Sequence, residues 1–220
     1  MVSYSYAKTI SDGGDNAWIS SGYRNTYCRA CDRSLSPYDQ THRLVGNFTY
    51  ELPFGRGKRF GTNWNGFVNS VLGQWQINGI ASLNSGLPLQ MNQQQNLSQS
   101  FGGGQRPDST GVSARLDNPT IGQWFDTAQF TQAAQYTFGN VARVHPNLRS
   151  DRMENFDLSV FKNFAIGENV KVQFRAESFN MANHVVFSAP NTTLGDANFG
   201  RVTSQGNAPR QTQLALKFLF

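Results

Sequence analysis

The stretch NVKVQFRAES, residues 169–178, sorts its side chains strictly by parity. Val170, Val172, Phe174 and Ala176 fall on one set of alternate positions, and Lys171, Gln173, Arg175 and Glu177 on the other. Successive side chains of a strand point to opposite faces, so this stretch is a strand with one apolar and one charged face. An amphipathic helix needs a period near 3.6 and cannot be built on it. The pattern recurs in NFDLSVFKNF, residues 155–164, where Phe156, Leu158 and Val160 alternate with Asp157, Ser159 and Phe161. The residues AIGEN, around Gly167, join these two strands as a hairpin. WQINGIASL (75–83) places Trp75, Ile77, Gly79, Ala81 and Leu83 on one face. HRLVGNFTYEL (42–52) places Leu44, Gly46, Phe48, Tyr50 and Leu52 on one face, and VSYSYAKT (2–9) places Tyr4 and Tyr6 together. The closing QTQLALKFLF sets Leu214, Leu216, Phe218 and Phe220 against Gln213, Ala215, Lys217 and Leu219. The chain is therefore read as all-β with six strands.

The connections between these strands are unequal in a regular order. A long polar segment (11–40) follows the first strand, and a shorter Gly- and basic-rich turn, PFGRGKRFGTNWNG, follows the second. A very long segment (85–152), with MNQQQNLSQS and FGGGQRPDSTG in it, follows the third. AIGEN follows the fourth, and a long polar stretch follows the fifth. Loops beyond about 12–15 residues are uncommon in compact domains, and here they fall on alternate connections. Outer-membrane barrels have this asymmetry, with long extracellular loops, short periplasmic turns, an apolar outer face and a polar lumen. The pattern predicts an antiparallel up-and-down transmembrane β-barrel segment. Its last strand ends at the periplasmic rim, where Tyr50, Phe54, Trp75, Phe164, Phe218 and Phe220 form an aromatic girdle. A soluble β-sandwich shares the alternation but leaves the loop lengths unexplained.

Composition agrees with wet β-structure. Hydrophobic residues make up 38% of the 220 and charged residues 15%, yet there are 17 Phe. The aromatic content argues against intrinsic disorder. Net charge is +5, but the cations are scattered, the densest group being Arg56, Lys58 and Arg59, so nucleic acid is not expected as a partner. No apolar run reaches the length of a membrane-spanning helix. The opening MVSYSYAKTISDGG lacks the basic and apolar regions of a signal peptide. Cys28 and Cys31 supply two of the four ligands of a structural zinc, and read as a short-range disulfide in an exposed loop or as two free thiols. His42, His145 and His184 lie far apart and read as polar rim residues. Gly55, Gly57 and Gly61 miss the dinucleotide fingerprint and sit in a turn. With no convergent acid, base or nucleophile, neither an enzyme nor a cofactor is expected.

Several stretches carry a family resemblance: SYSYAKTISDG, DQTHRLVGNFTYELPFGRGK, WQINGIASLNSGLP, WFDTAQF, TFGNVAR, DLSVFKNF and VQFRAESFNMANHVVF. In their order and spacing they resemble the C-terminal part of TonB-dependent outer-membrane receptors, in particular the Oar-like group that carries a carboxypeptidase-regulatory-like domain. The resemblance covers residues 3–220. It implies energy-coupled uptake of a ligand captured by outer loops and passed by a moving plug. It implies as partners the outer-membrane lipid, the barrel-assembly machinery, a plug domain and further barrel strands, with TonB reached only through an N-terminal part. Phe220 and Phe218 are similar to the terminal signal read by the assembly machinery. No plug, TonB-contacting box or signal peptide is recognisable, and single-chain barrels start at eight strands. Residues 1–220 are therefore expected to be a C-terminal piece of a barrel, incomplete alone. Lys171, Arg175 and Glu177 are expected to face the lumen, with Arg175 and Glu177 paired. Segments 11–40 and 85–152 are the expected places of ligand capture, since recognition usually sits on loops. The alternatives are a small oligomeric outer-membrane barrel and a secreted β-sandwich adhesin.

Overall fold

The computed structural model describes residues 1–13, 24–25, 27–99, 105–166 and 170–220. Six strands form one antiparallel sheet in chain order. They are β1 (Val2–Tyr6), β2 (His42–Glu51), β3 (Trp75–Asn84), β4 (Met153–Ile166), β5 (Val170–Phe179) and β6 (Gln211–Leu219). Each predicted strand is present. The first is shorter than its alternation suggests, because the Thr9 amide is taken by the Asp39 side chain (2.7 Å) and leaves the ladder. The expected hairpin joins β4 to β5 from the pair Val170 and Ile166 onward, while Gly167 at its tip lies outside the described residues.

The register carries the parity of each strand across the sheet. Trp75 faces Lys162, Lys162 faces Phe174, and Phe174 faces Leu216. The next row runs Tyr50, Ile77, Val160, Ala176, Leu214. One face of the whole sheet is thus apolar, because a single slip would flip every side chain. Gly79 lies on this face beneath Phe48, and a Cβ there would stand 2.3 Å from the Phe48 ring. The ring covers the gap that the glycine leaves in the strand. The opposite face carries Asn78, Ser159, Glu177 and Gln213 in one row. Among the described residues, β1 and β6 are each paired along one side only.

At one end of the sheet the connections are short. The turn between β2 and β3 contains a seven-residue helix, α1 (Gly66–Leu72), that was not expected from the Gly-rich sequence. Asn65 starts it by accepting from the Val68 amide (2.8 Å). At the other end the connections are long, and the core of the molecule is there rather than in the sheet. Leu89, Met91, Ala114, Phe125, Phe130, Val141 and Leu148 are buried together, with Trp124, Leu194 and Phe199 against them. The Phe125, Phe130 and Phe199 rings meet edge to face at 5.3–6.0 Å. Asn92–Gln93 pairs with Thr193–Leu194, which joins the third connection to the fifth. Segment 85–152, expected as a very long loop, is the main source of buried apolar side chains. We call this assembly of long connections the loop head.

Candidate functional site

Two features carry polar chemistry: the polar sheet face and the loop head. On the sheet, Lys171, Arg175 and Glu177 share one face, as their parity required. Arg175 donates through Nε to Gln173 Oε1 (2.6 Å), and Gln173 donates to Asn163 Oδ1 (2.9 Å). The Arg175 guanidinium lies 4.6 Å from the centre of the Phe161 ring, which stands directly opposite in register. Glu177 accepts from Gln213 Nε2 (2.5 Å) across the next strand pair. Arg175 and Glu177 therefore do not form the expected pair. Arg175 is taken by Gln173 on its own strand and by the Phe161 ring across the ladder, and Glu177 is taken by Gln213 on the other neighbouring strand. Lys171 is exposed near the short-turn end. Gln76, Asn78 and Ser159 extend the polar lattice, with Gln76 donating to Asn78 (2.6 Å) and Asn78 to Ser159 (3.4 Å). The surface so built is hydrophilic, hydrogen-bonded across strands and suited to contact with water or a polar protein surface.

Phe218 stands opposite Val172 on the apolar face and is 63% exposed. Phe220 lies one residue past β6 with its side chain fully exposed. Trp75, Phe164 and Phe218 all reach the same short-turn end of that face, as the girdle expectation required.

Two charged residues of β4 break the parity rule, Glu154 opposite Leu83 at the head end and Lys162 near the short-turn end. Lys162 sits on the apolar face, in the row of Trp75 and Phe174, yet it is buried. Its ammonium donates to the Gly73 carbonyl and lies 5.7 Å from the Trp75 ring and 5.2 Å from the Phe164 ring. The aromatic walls and the carbonyl satisfy a cation that would otherwise be stranded among apolar side chains. Its parity with Val160 and Phe164 was visible in the sequence and could have identified it.

In the loop head, residues from the first and third connections are tied by buried charge. Arg106 Nη1 lies 2.6 Å from Asp32 Oδ1, with both side chains almost fully buried. Burial pulls the Arg106 pKa down, the Asp32 carboxylate opposes it, and a guanidinium stays charged throughout. Asp32 also accepts from the Arg24 amide (3.0 Å), and its carbonyl accepts from Arg143 Nε (3.2 Å). Arg143 reaches the Ser11 carbonyl (3.0 Å) and hydroxyl (2.5 Å) as well. A second centre is Arg149, which pairs with Asp39 (2.6 Å) and donates to the Asp39 carbonyl (2.9 Å), the Gly86 carbonyl (3.0 Å) and the Thr41 hydroxyl (2.9 Å). Burial alone would raise the Asp39 carboxyl, but Arg149, the Thr9 amide and Thr41 outweigh it and hold its pKa below the ordinary value. Arg149 thus clamps the head to the ends of β2 and β3.

The two cysteines are joined as a disulfide, Cys28–Cys31, around the single turn that presents Asp32. His145 is not a rim residue. Its ring is half-buried against Phe130 (6.0 Å), and Nδ1 accepts from the Asn147 and Leu148 amides (3.2 and 3.1 Å). Burial lowers its pKa. His42 packs on Tyr6 and meets the Tyr4 hydroxyl (2.9 Å), and His184 lies 3.6 Å from Glu154.

A family profile described as an outer membrane beta barrel domain matches residues 1–213. No curated protein and no solved structure matches the chain. An apolar face turned outward, a polar face behind it and alternately long and short connections are what that match requires of the fold. The chain belongs to the outer membrane β-barrel domain family and is an all-β, incomplete barrel of the outer membrane.

Proposed function

We propose that the chain is the C-terminal wall segment of a TonB-dependent outer-membrane transporter of the Oar-like group. In that receptor, an energy-coupled plug passes a ligand captured outside to the periplasm. The observation that carries this reading is the sheet itself. Among the described residues, six strands with two unpaired edges are fewer than the eight of the smallest single-chain barrels, and hydrocarbon cannot satisfy the free backbone groups. Barrels of about 22 strands are plugged transporters, so the missing strands and the plug have a natural source. Lys171, Arg175 and Glu177 then line the lumen, where they meet water or the plug. The loop head offers a rigid outer platform for ligand capture. Phe218 and Phe220 present the terminal signal to the barrel-assembly machinery, and deletion of Phe220 should lower the amount reaching the outer membrane. In this role the chain is a wall and a recognition platform, not an enzyme.

The test is an immunoblot of outer membranes from the source bacterium with an antibody against the loop head. The expected band is several times longer than 220 residues, and uptake by that receptor is lost when TonB is deleted. A 220-residue band that runs as a heat-dissociable oligomer would overturn the reading in favour of a small oligomeric barrel.

A further inference from the structure

The turn between β2 and β3 is built inside out. In α1, Asn69 turns toward the other arm of the turn, where its Oδ1 accepts from the Arg56 amide (2.7 Å), while Ser70 is exposed and donates to the Gly66 carbonyl of its own helix (2.8 Å). Val68 is half-buried, and the other large apolar side chains of the helix are exposed. Phe67 is 79% exposed, Leu72 52% and Val71 49%. Phe67 and Val71 are four residues apart, which stacks them on one side of the helix. A short turn in water would place these groups the other way round.

The helix also lies on a defined side of the sheet. The Trp75 indole, on the apolar face, donates to the Val71 carbonyl (2.9 Å). Lys162, on the same face, donates to the Gly73 carbonyl. A cleft next to the helix is lined by Asn69 and Ser70 together with Phe164, Ile166 and Val172 of the apolar face and, at the rim, by Asn163 of the polar face. The other arm of the turn lies across the rim, where Arg56 and Lys58 line a cleft with Glu51, Gln76 and Asn163 of the polar face and with Trp75. The arms cross where Gly55 (φ +119°) meets Gly73, and a Cβ on Gly55 would stand 2.9 Å from the Gly73 Cα. Two glycines in contact let the connection straddle the rim.

We infer that α1 is a membrane foot. It lies in the periplasmic leaflet at the boundary of headgroups and acyl chains, with Phe67, Val71 and Leu72 in the lipid. The occupant is phospholipid because the exposed side chains continue the lipid-facing surface through Trp75 and Phe164. No charge occurs between residues 60 and 74, so the foot is held by apolar contact rather than by anionic headgroups. The inference rests on the barrel family and not on the transporter reading.

The test uses the protein in outer-membrane vesicles that contain nitroxide-bearing phospholipid. An environment-sensitive fluorophore is attached at Phe67→Cys or Val71→Cys. Leu216→Cys serves as a lipid-facing reference and Asp117→Cys as an exposed head reference. The label at 67 or 71 should be quenched by the nitroxide severalfold more than at 117, should resist aqueous iodide as at 216, and should be unchanged by added salt. Iodide access equal to that at 117 would overturn the foot. Shielding from iodide without nitroxide quenching would also overturn it, since a protein partner would then cover the helix.

Discussion

The sheet and the loop head treat the same residue types in opposite ways. In β6, Leu214, Leu216 and Phe218 are 63–70% exposed, while in the head Phe125 and Val144 are 0% exposed. Arginine is reversed as well. On the sheet Arg175 lies on the open polar face, while in the head Arg106 and Arg143 are buried. The difference is one of solvent. The head stands in water and follows the ordinary rule, with apolar groups inside and buried charges either paired, as Arg106 is, or held by hydrogen bonds, as Arg143 is. The apolar sheet face stands in hydrocarbon, which supplies no hydrogen bonds, so its outward side chains are apolar and its backbone is satisfied by the ladder. A chain of low average hydrophobicity can therefore span a membrane, because only alternate residues of its strands meet lipid.

Variants can break this comparison. The largest effect is expected for Asp32→Ala, which strands Arg106 and removes the acceptor of the Arg24 amide. Breaking a buried pair costs about 3–5 kcal/mol. Trypsin on intact cells should cut the head at the first and third connections, while the barrel keeps its heat-modifiable mobility on a gel. If the head stays resistant, it is not held by this pair. Next is Leu216→Arg, which costs about 2–4 kcal/mol at the bilayer midplane and should block membrane assembly, whereas Lys217→Leu on the other face should be tolerated. Equal tolerance of both would remove the assignment of the faces.

A smaller effect is expected from Cys28→Ser with Cys31→Ser. A disulfide that closes so short a loop constrains the unfolded chain by about 2 kcal/mol or less. Proteolysis of the head should quicken less than in Asp32→Ala, and an equal or larger effect would show that the disulfide, not the ion pair, organises it. The smallest effect is acid sensitivity. The pKa of His145 is lowered in the fold, so the stability it contributes is complete above its unfolded value and declines as pH falls below about 6.5. Asp39 has the same sign further down, since its lowered pKa loses stability only below about pH 4. The head should loosen progressively from pH 6.5 to 5 by limited proteolysis, and His145→Asn, which keeps the acceptor, should flatten that step. An unchanged slope would place the acid sensitivity elsewhere.

The strands were legible because strand parity is a local property. Val170 to Ser178 alternates without reference to anything distant, and its neighbours follow from the same arithmetic. Helix α1 was not legible because seven residues give two turns, too few for a period to emerge beside the glycines. The head was not legible for a different reason. Its core joins Leu89 to Phe130 and Leu194, and its ties join Asp32 to Arg106, with irregular backbone between them. Long-range contacts among loops leave no repeat in the sequence. Within the polar face, parity identified Lys171, Arg175 and Glu177 as neighbours but paired the last two wrongly, because Gln173 and the Phe161 ring take Arg175 while Gln213 takes Glu177.

By itself, the sequence determined the class of fold, the six strands, which face of each is apolar and which end bears the long connections. Each of these follows from alternation and spacing along one segment. Only the tertiary structure decided where the water-type core lies, which charges are buried as pairs, and how Lys162 is accommodated on an apolar face by the Gly73 carbonyl and two rings. These depend on groups brought together from positions up to 132 residues apart, as with Arg143 and Ser11, and no local pattern records such an encounter.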